Sequence, residues 1–212
     1  MGQNSYGVLI TFEGIEGSGK STLIASLASD LRNRKIDIHV TREPGGTPLG
    51  DRVRALFLLD PDVTIDPLAE ALLINSSRAQ LVGDVIVPAL RAGTVVLCDR
   101  FFDATIAYQG FGRGLDIEML LELSLTATRR IAPDLTFLLD IPAELSRERL
   151  RSRGVAADRL ERESLEFHDR VRRGYLQLAE RFGRIVVLDG TRAPGDLAAE
   201  AMAVIERHRI AV

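Results

Sequence analysis

Residues Gly14-Ile15-Glu16-Gly17-Ser18-Gly19-Lys20-Ser21 fit the spacing G-x-x-x-x-G-K-[ST] at every fixed position, with Thr22 following. That spacing serves phosphate chemistry. The glycines let the backbone wrap an anion so that its N–H groups point at phosphate oxygens. The lysine reaches the β and γ phosphates of a nucleoside triphosphate, and the hydroxyl after it ligates Mg²⁺. A second acid, Asp99, closes the apolar run "VVLCD", where a carboxylate can hold Mg²⁺ or its waters. The adjoining Arg100 carries the kind of charge that bridges donor and acceptor phosphates during transfer. Such a loop alone leaves kinase, GTPase, motor and regulatory switch open. A guanine-reading N-K-x-D is absent, and 212 residues leave little room for the extra domains of a motor. A small-molecule kinase is the favoured class.

Something must hold these groups together, and the apolar pattern says what. Val8–Phe12, Ile36–Val40, Thr94–Cys98, Leu135–Leu139 and Ile185–Leu188 read as buried strands. Thr22–Arg34, Leu68–Ala92, Ile117–Thr128, Ala143–Arg153, Leu160–Phe182 and Leu197–His208 carry helical periodicity, with a kink expected at Pro88 and a stop at Gly93. Strand–helix alternation predicts a phosphate-loop α/β fold in three layers, with five parallel strands and helices on both faces. In such sheets ligands sit beyond the carboxyl ends of the strands, which is where the polar motifs fall.

Composition narrows the partners. Apolar residues make up 46% of the chain and charged residues 27%; 27 basic and 30 acidic side chains leave a net charge of −3. That sign argues against nucleic acid as a partner. A lone Cys98 cannot form an internal disulfide, and "MGQNSYG" has neither a basic cluster nor an apolar run, so a cytoplasmic location without a secretory signal is expected. No apolar run approaches roughly 18 residues, so no membrane span is expected. The three histidines, His39, His168 and His208, have no motif around them and read as surface or packing residues.

Further motifs are more specific. "TREPGGTPLG" (Thr41–Gly50) follows the second strand, "SSRAQL" (Ser76–Leu81) lies in a long helix, and "DRFFDATIAYQGFGRGLD" (Asp99–Asp116) follows the third strand. "RSRGVAADRLERES" (Arg151–Ser164) follows the fourth. With the phosphate loop, these resemble bacterial thymidylate kinases over nearly the whole chain. The resemblance implies one nucleoside monophosphate kinase domain over 1–212 that moves the γ-phosphoryl of ATP to dTMP with Mg²⁺ at Ser21 and Asp99. It also implies a small helical lid at about 151–164 and a homodimer. By the same resemblance Glu16 contacts the sugar 3′-hydroxyl, Arg78 reads a thymine carbonyl, and Arg54 and Arg100 face the acceptor phosphate. Thr105 lies near the base, Tyr108 beside the sugar, Ile74 and Gln109 count among the substrate-binding residues, and Arg192 lies near the adenine of ATP. Because the phosphate loop itself has no arginine, the lid supplies the catalytic one, with Arg153 and Arg159 as candidates beside Lys20, Asp99 and Arg100.

Two positions depart from the family. Ile74 stands where a stacking Phe is usual, and Ala104 where Ser is usual. These departures keep open a shifted pyrimidine monophosphate preference. A catalytically silent nucleotide-binding regulator is the reading from another class, and intact Lys20, Ser21, Asp99 and Arg100 weigh against it. The helix Leu68–Leu90, with Leu72, Leu73, Leu81, Val85 and Ile86, serves either as a dimer face or as core.

Overall fold

The computed structural model describes residues 6–60, 63–154 and 156–208; residues 1–5 of the N-terminal reading and Val155 of the expected lid lie outside the described residues. Five parallel strands form one sheet: β1 (Leu9–Glu13), β2 (Ile38–Arg42), β3 (Val95–Asp99), β4 (Leu135–Asp140) and β5 (Ile185–Asp189), in the order β2-β3-β1-β4-β5. Side chains alternate between faces. Ile10, Phe12, Leu97, Phe137 and Leu139 point to one side, against α1 (Lys20–Asn33) and α9 (Pro194–Arg207). Leu9, Val96 and Cys98 point to the other, against the long second helix. Leu138 meets a third cluster there, built from Tyr108, Leu120, Phe167, Val171 and Tyr175. Helices thus cover both faces, as a parallel sheet requires.

The boundaries differ from the sequence expectation where a cap decides them. β2 starts at Ile38 and not Ile36, because the end of α1 claims the intervening residues: Lys35 turns left-handed (φ 61°) and the Ile36 N–H donates back to Leu31 O. The long second helix changes its winding just before Pro88. α3 (Pro67–Leu81) widens into a π-type turn over Val82–Ile86, where Val87 N–H reaches back to Val82 O, and continues as α4 (Val87–Arg91). Two helices went unread in the sequence. α2 (Pro48–Arg54) runs on through a wide turn at Ala55–Leu59, and α5 (Phe102–Thr105) runs on through Ile106–Gly112. The rest are α6 (Ile117–Ala127), α7 (Ala143–Ser152) and α8 (Leu165–Arg181). α8 starts at Leu165 and not Leu160, since the Ser164 hydroxyl accepts from Phe167 N–H and caps it. Of the lid span, only Arg151 and Ser152 are helical; its other described residues form turns and irregular chain.

β1 and β3 lie side by side with Phe12 opposite Asp99, so the loops that leave them emerge together. The first carries the phosphate loop and the second carries Arg100. Beneath them a buried polar bolt ties α5 to the sheet: Arg184 holds both oxygens of Asp103 at 2.7 and 2.8 Å and donates to Thr136 Oγ1 at 2.7 Å.

Candidate active site

The phosphate loop needs its glycines for both shape and approach. Gly14 has φ 132°, and a Cβ on it would lie 2.4 Å from the Leu139 carbonyl oxygen. Gly19 caps α1 with φ 102°. Lys20, the first residue of α1, folds back over the loop and donates to Gly14 O at 2.9 Å and Ile15 O at 3.0 Å. Burial, then the Arg100 charge, push its ammonium down to about 8, against the pull of Asp99, Glu16 and Glu13. Ser21 donates its hydroxyl proton to Asp99 Oδ2 at 3.3 Å.

Arg100 is the hub. Its backbone adopts the left-handed conformation (φ 69°), which costs a non-glycine residue about 1–2 kcal/mol. Its N–H donates to Phe12 O at 3.0 Å. The guanidinium donates to Gly14 O and the Tyr175 hydroxyl through Nη1, and to Glu16 Oε1 and the Tyr108 hydroxyl through Nη2, at 2.9–3.1 Å. It also lies over the Tyr108 ring, 4.9 Å from its centre. Tyr108 donates to the same Glu16 oxygen at 2.6 Å. Burial pushes the Glu16 carboxyl up, but Arg100 and Lys20 outweigh it and hold Glu16 below the usual carboxylate value.

Glu13 holds the hub from beneath. It ends β1, is fully buried, and accepts from Phe101 N–H and the Tyr175 hydroxyl, each at 2.7 Å. Burial, with Asp103 nearby, pushes its carboxyl up to about 8.

From this hub a cleft of about 210 Å³ runs between Lys20, Ser21 and Asp99 at one end and Arg78 and Thr105 at the other. Arg78 is 1% exposed and donates to Glu43, Asn75, Thr105 Oγ1 and Phe101 O. Burial pushes the Glu43 carboxyl up despite that guanidinium. Ile74 and Ala104 line the cleft, and Phe57, unnoticed in the sequence, lines it too and packs on Ile74. Arg54 reaches the same cleft and donates to Pro44 O; burial and then Arg42 lower its pKa. Gln109 also lines it and donates to the buried Glu70.

The lid arginines part company. Arg153 lines the cleft and pairs with Glu161 at 2.8 Å, half of its side chain in solvent. Arg159 turns away from the phosphate loop: it pairs with Glu70 at 2.5 Å, donates to Phe57 O and lies over the Phe57 ring. Arg113 joins Glu70 from the end of α5's extension, so this acid holds the segment that carries Arg159. On the far side of the phosphate loop a second cavity is lined by Ser18, Gly19, Thr22, Arg149 and Arg192. Arg192 is ion-paired there with Glu200, while Arg149, which the sequence reading passed over, donates to Gly17 O and Gly190 O at 3.1 Å.

Sequence reasoning missed Glu13, Glu43, Glu70, Tyr175 and Arg149. For Glu13 a signal existed, an acid at the strand end directly before the phosphate loop. Expected to be surface or packing residues, the histidines divide: His39 and His208 are exposed, but His168 is buried with Nδ1 3.5 Å from Glu16 Oε2.

A phosphate loop at the head of a parallel sheet, facing an arginine-rich cleft that reaches the buried Arg78, defines a phosphate-loop kinase with a small-molecule acceptor. The thymidylate kinase family model matches residues 12–201. A thymidylate kinase of Citrifermentans bemidjiense is 51% identical over 205 residues, covering 92% of this chain and 91% of that one. One from Deinococcus radiodurans is 50% identical, covering 96% and 98%, and one from Carboxydothermus hydrogenoformans 48%, covering 94% and 97%. The chain belongs to the thymidylate kinase family, enzymes that phosphorylate dTMP. No helix of its described residues is long and apolar enough to cross a membrane.

Proposed function

We propose that the chain, as one nucleoside monophosphate kinase domain in the cytoplasm, transfers the γ-phosphoryl of ATP to the 5′-phosphate of dTMP, giving dTDP and ADP. The observation that carries this is the single cleft joining Lys20 and Asp99 to Arg100, Tyr108 and Arg78. Residues 14–22 cradle the triphosphate, with the adenine toward Arg192 and Arg149. The thymidylate lies along the cleft, its phosphate against Arg54 and Arg100, its sugar against Glu16 and Tyr108. The base sits between Ile74, Phe57, Arg78, Thr105 and Gln109.

The reaction is an in-line displacement. An acceptor phosphate oxygen bonds to the γ-phosphorus as the bond to the β–γ bridging oxygen breaks, and ADP leaves with that electron pair. The attacking oxygen is already anionic near neutral pH, so no general base is required. The chain's task is alignment, charge neutralisation and exclusion of water. Lys20, Arg100 and a lid arginine supply the positive charge, and Arg153, on the cleft wall, is the lid residue we assign. Ser21 Oγ and Asp99 Oδ2 offer two hard oxygens 3.3 Å apart. Among the described residues no group of three or more His, Cys, Asp or Glu could hold a metal unaided. That arrangement fits Mg²⁺, which is usually bound by few protein groups together with substrate phosphates and water. When bound, Mg²⁺ neutralises charge on the β and γ oxygens.

A homodimer is part of the proposal. α3 buries Leu81 but leaves Leu68 and Leu72 44% and 50% exposed, one helical turn apart, and the neighbouring Ile86 is core. ADP formation with ATP–Mg²⁺ and a panel of dTMP, dUMP, dCMP, UMP, CMP and AMP tests the function. A strong preference for dTMP is expected; preference for dUMP would move the substrate, and no turnover would remove the kinase reading.

A further inference from the structure

Among the buried polar atoms of the described residues that have no hydrogen-bond partner, two face each other. Glu16 Oε2 and His168 Nδ1 are both closed off from solvent, and they stand 3.5 Å apart. A buried acceptor or donor left without a partner is costly and rare in a native fold. The other Glu16 oxygen is already occupied by Arg100 and Tyr108. The imidazole is fixed by α8 and meets the Phe167 ring edge-on, 5.7 Å between centres. Among the described residues no hydrogen bond reaches Oε2.

We propose that His168 is a positioning residue for Glu16: Nδ1 bears a proton and shares it with Oε2. The neutral Nδ1–H tautomer and the imidazolium both satisfy this geometry. With Oε1 held from the Arg100 side and Oε2 from α8, the carboxylate plane is anchored at both ends and cannot swing. A carboxylate fixed in this way meets a sugar hydroxyl without first being ordered. The proposal rests on the reading of Glu16 as the group that meets the 3′-hydroxyl.

The test is the ratio of kcat/KM for dTMP to that for 2′,3′-dideoxythymidine monophosphate, which lacks this hydroxyl. His168→Leu keeps bulk but no donor, and should lower the ratio roughly tenfold, the scale of one hydrogen bond to a charged group. The loss should fall on KM for dTMP, leaving KM for ATP unmoved. His168→Asn, with an amide N–H near the place of Nδ1, should recover most of it. An unchanged ratio in His168→Leu, while Glu16→Gln lowers it, overturns the role of His168 alone. An unchanged ratio in Glu16→Gln overturns the sugar reading and the proposal with it. Independently of either variant, ¹⁵N spectra of the intact protein near neutral pH should show a protonated Nδ1 on His168; an unprotonated Nδ1 overturns the proposal.

Discussion

Glu13 sits where a carboxyl group would rather be neutral. Its pKa moves from 4.5 to about 8, so between those values the folded chain holds a proton that the unfolded chain has released. Stability from this group is therefore fully present below 4.5 and is lost as the pH rises toward about 8. Glu13→Gln mimics the neutral form, and its unfolding free energy should depend less steeply on pH across that window; equal slopes for the two proteins would refute the assignment. At Arg153, Ala should lower kcat by roughly 10²–10³, the usual loss for one transition-state donor, with KM for dTMP nearly unchanged. If Arg159→Ala gave that loss and Arg153→Ala did not, the lid arginine would have to be reassigned. Ile74→Phe adds a ring to the base pocket and should lower KM for dTMP, by up to the 1–3 kcal/mol of base stacking; an unchanged or higher KM would show that Phe57 already fills that space. Lys20, Ser21, Asp99 and Arg100 were legible because their spacing is the chemistry. Glu13 carried a signal in its place directly before the phosphate loop, but nothing in it told burial from exposure, and an isolated histidine such as His168 looks alike whether it is buried or exposed.

At the scale of elements, caps decided what the sequence showed. Thr47-Pro48 is a helix-start signal: the Thr47 hydroxyl accepts from Gly50 N–H at 3.0 Å, and Pro48 opens α2. Overlooking it hid a helix that brings Arg54 and Phe57 to the cleft. The apolar spacing from Leu160 continued into α8 and concealed the Ser164 cap, since periodicity does not register a turn whose apolar residues happen to keep phase. The widened turns at Ala55–Leu59 and Ile106–Gly112 have no sequence signature; they are the usual irregularity of helices that serve a site. Between these elements the segment 158–163, the lid of the proposal, is moored by Arg159 on Glu70 and Phe57. Arg159→Met should speed hydrogen exchange over 158–163 while the strands exchange as before, because Arg113 still serves Glu70. Unchanged exchange there would mean that the lid is held by other contacts.

For the molecule as a whole, layers and strand count followed from the alternation of apolar runs, whereas the strand order did not, because a parallel strand says nothing of its neighbour. The exposed Leu68 and Leu72 belong to this scale. Sedimentation should give a dimer for the native chain and a monomer for Leu72→Glu; a native monomer would remove that face from the assembly. The central place of β1 has a further consequence, for synthesis. Leu9 N–H is received by Asp134, and the hydroxyls of Thr11 and Thr136 share a hydrogen bond, each partner 125 residues downstream, while β3 must lie on the other side. A nascent chain therefore displays its phosphate loop early but gives it a floor only after β4 has left the ribosome. Until then Gly14 has no Leu139 carbonyl to lie against, so nucleotide can stabilise the finished sheet but has no formed loop to guide the growing one.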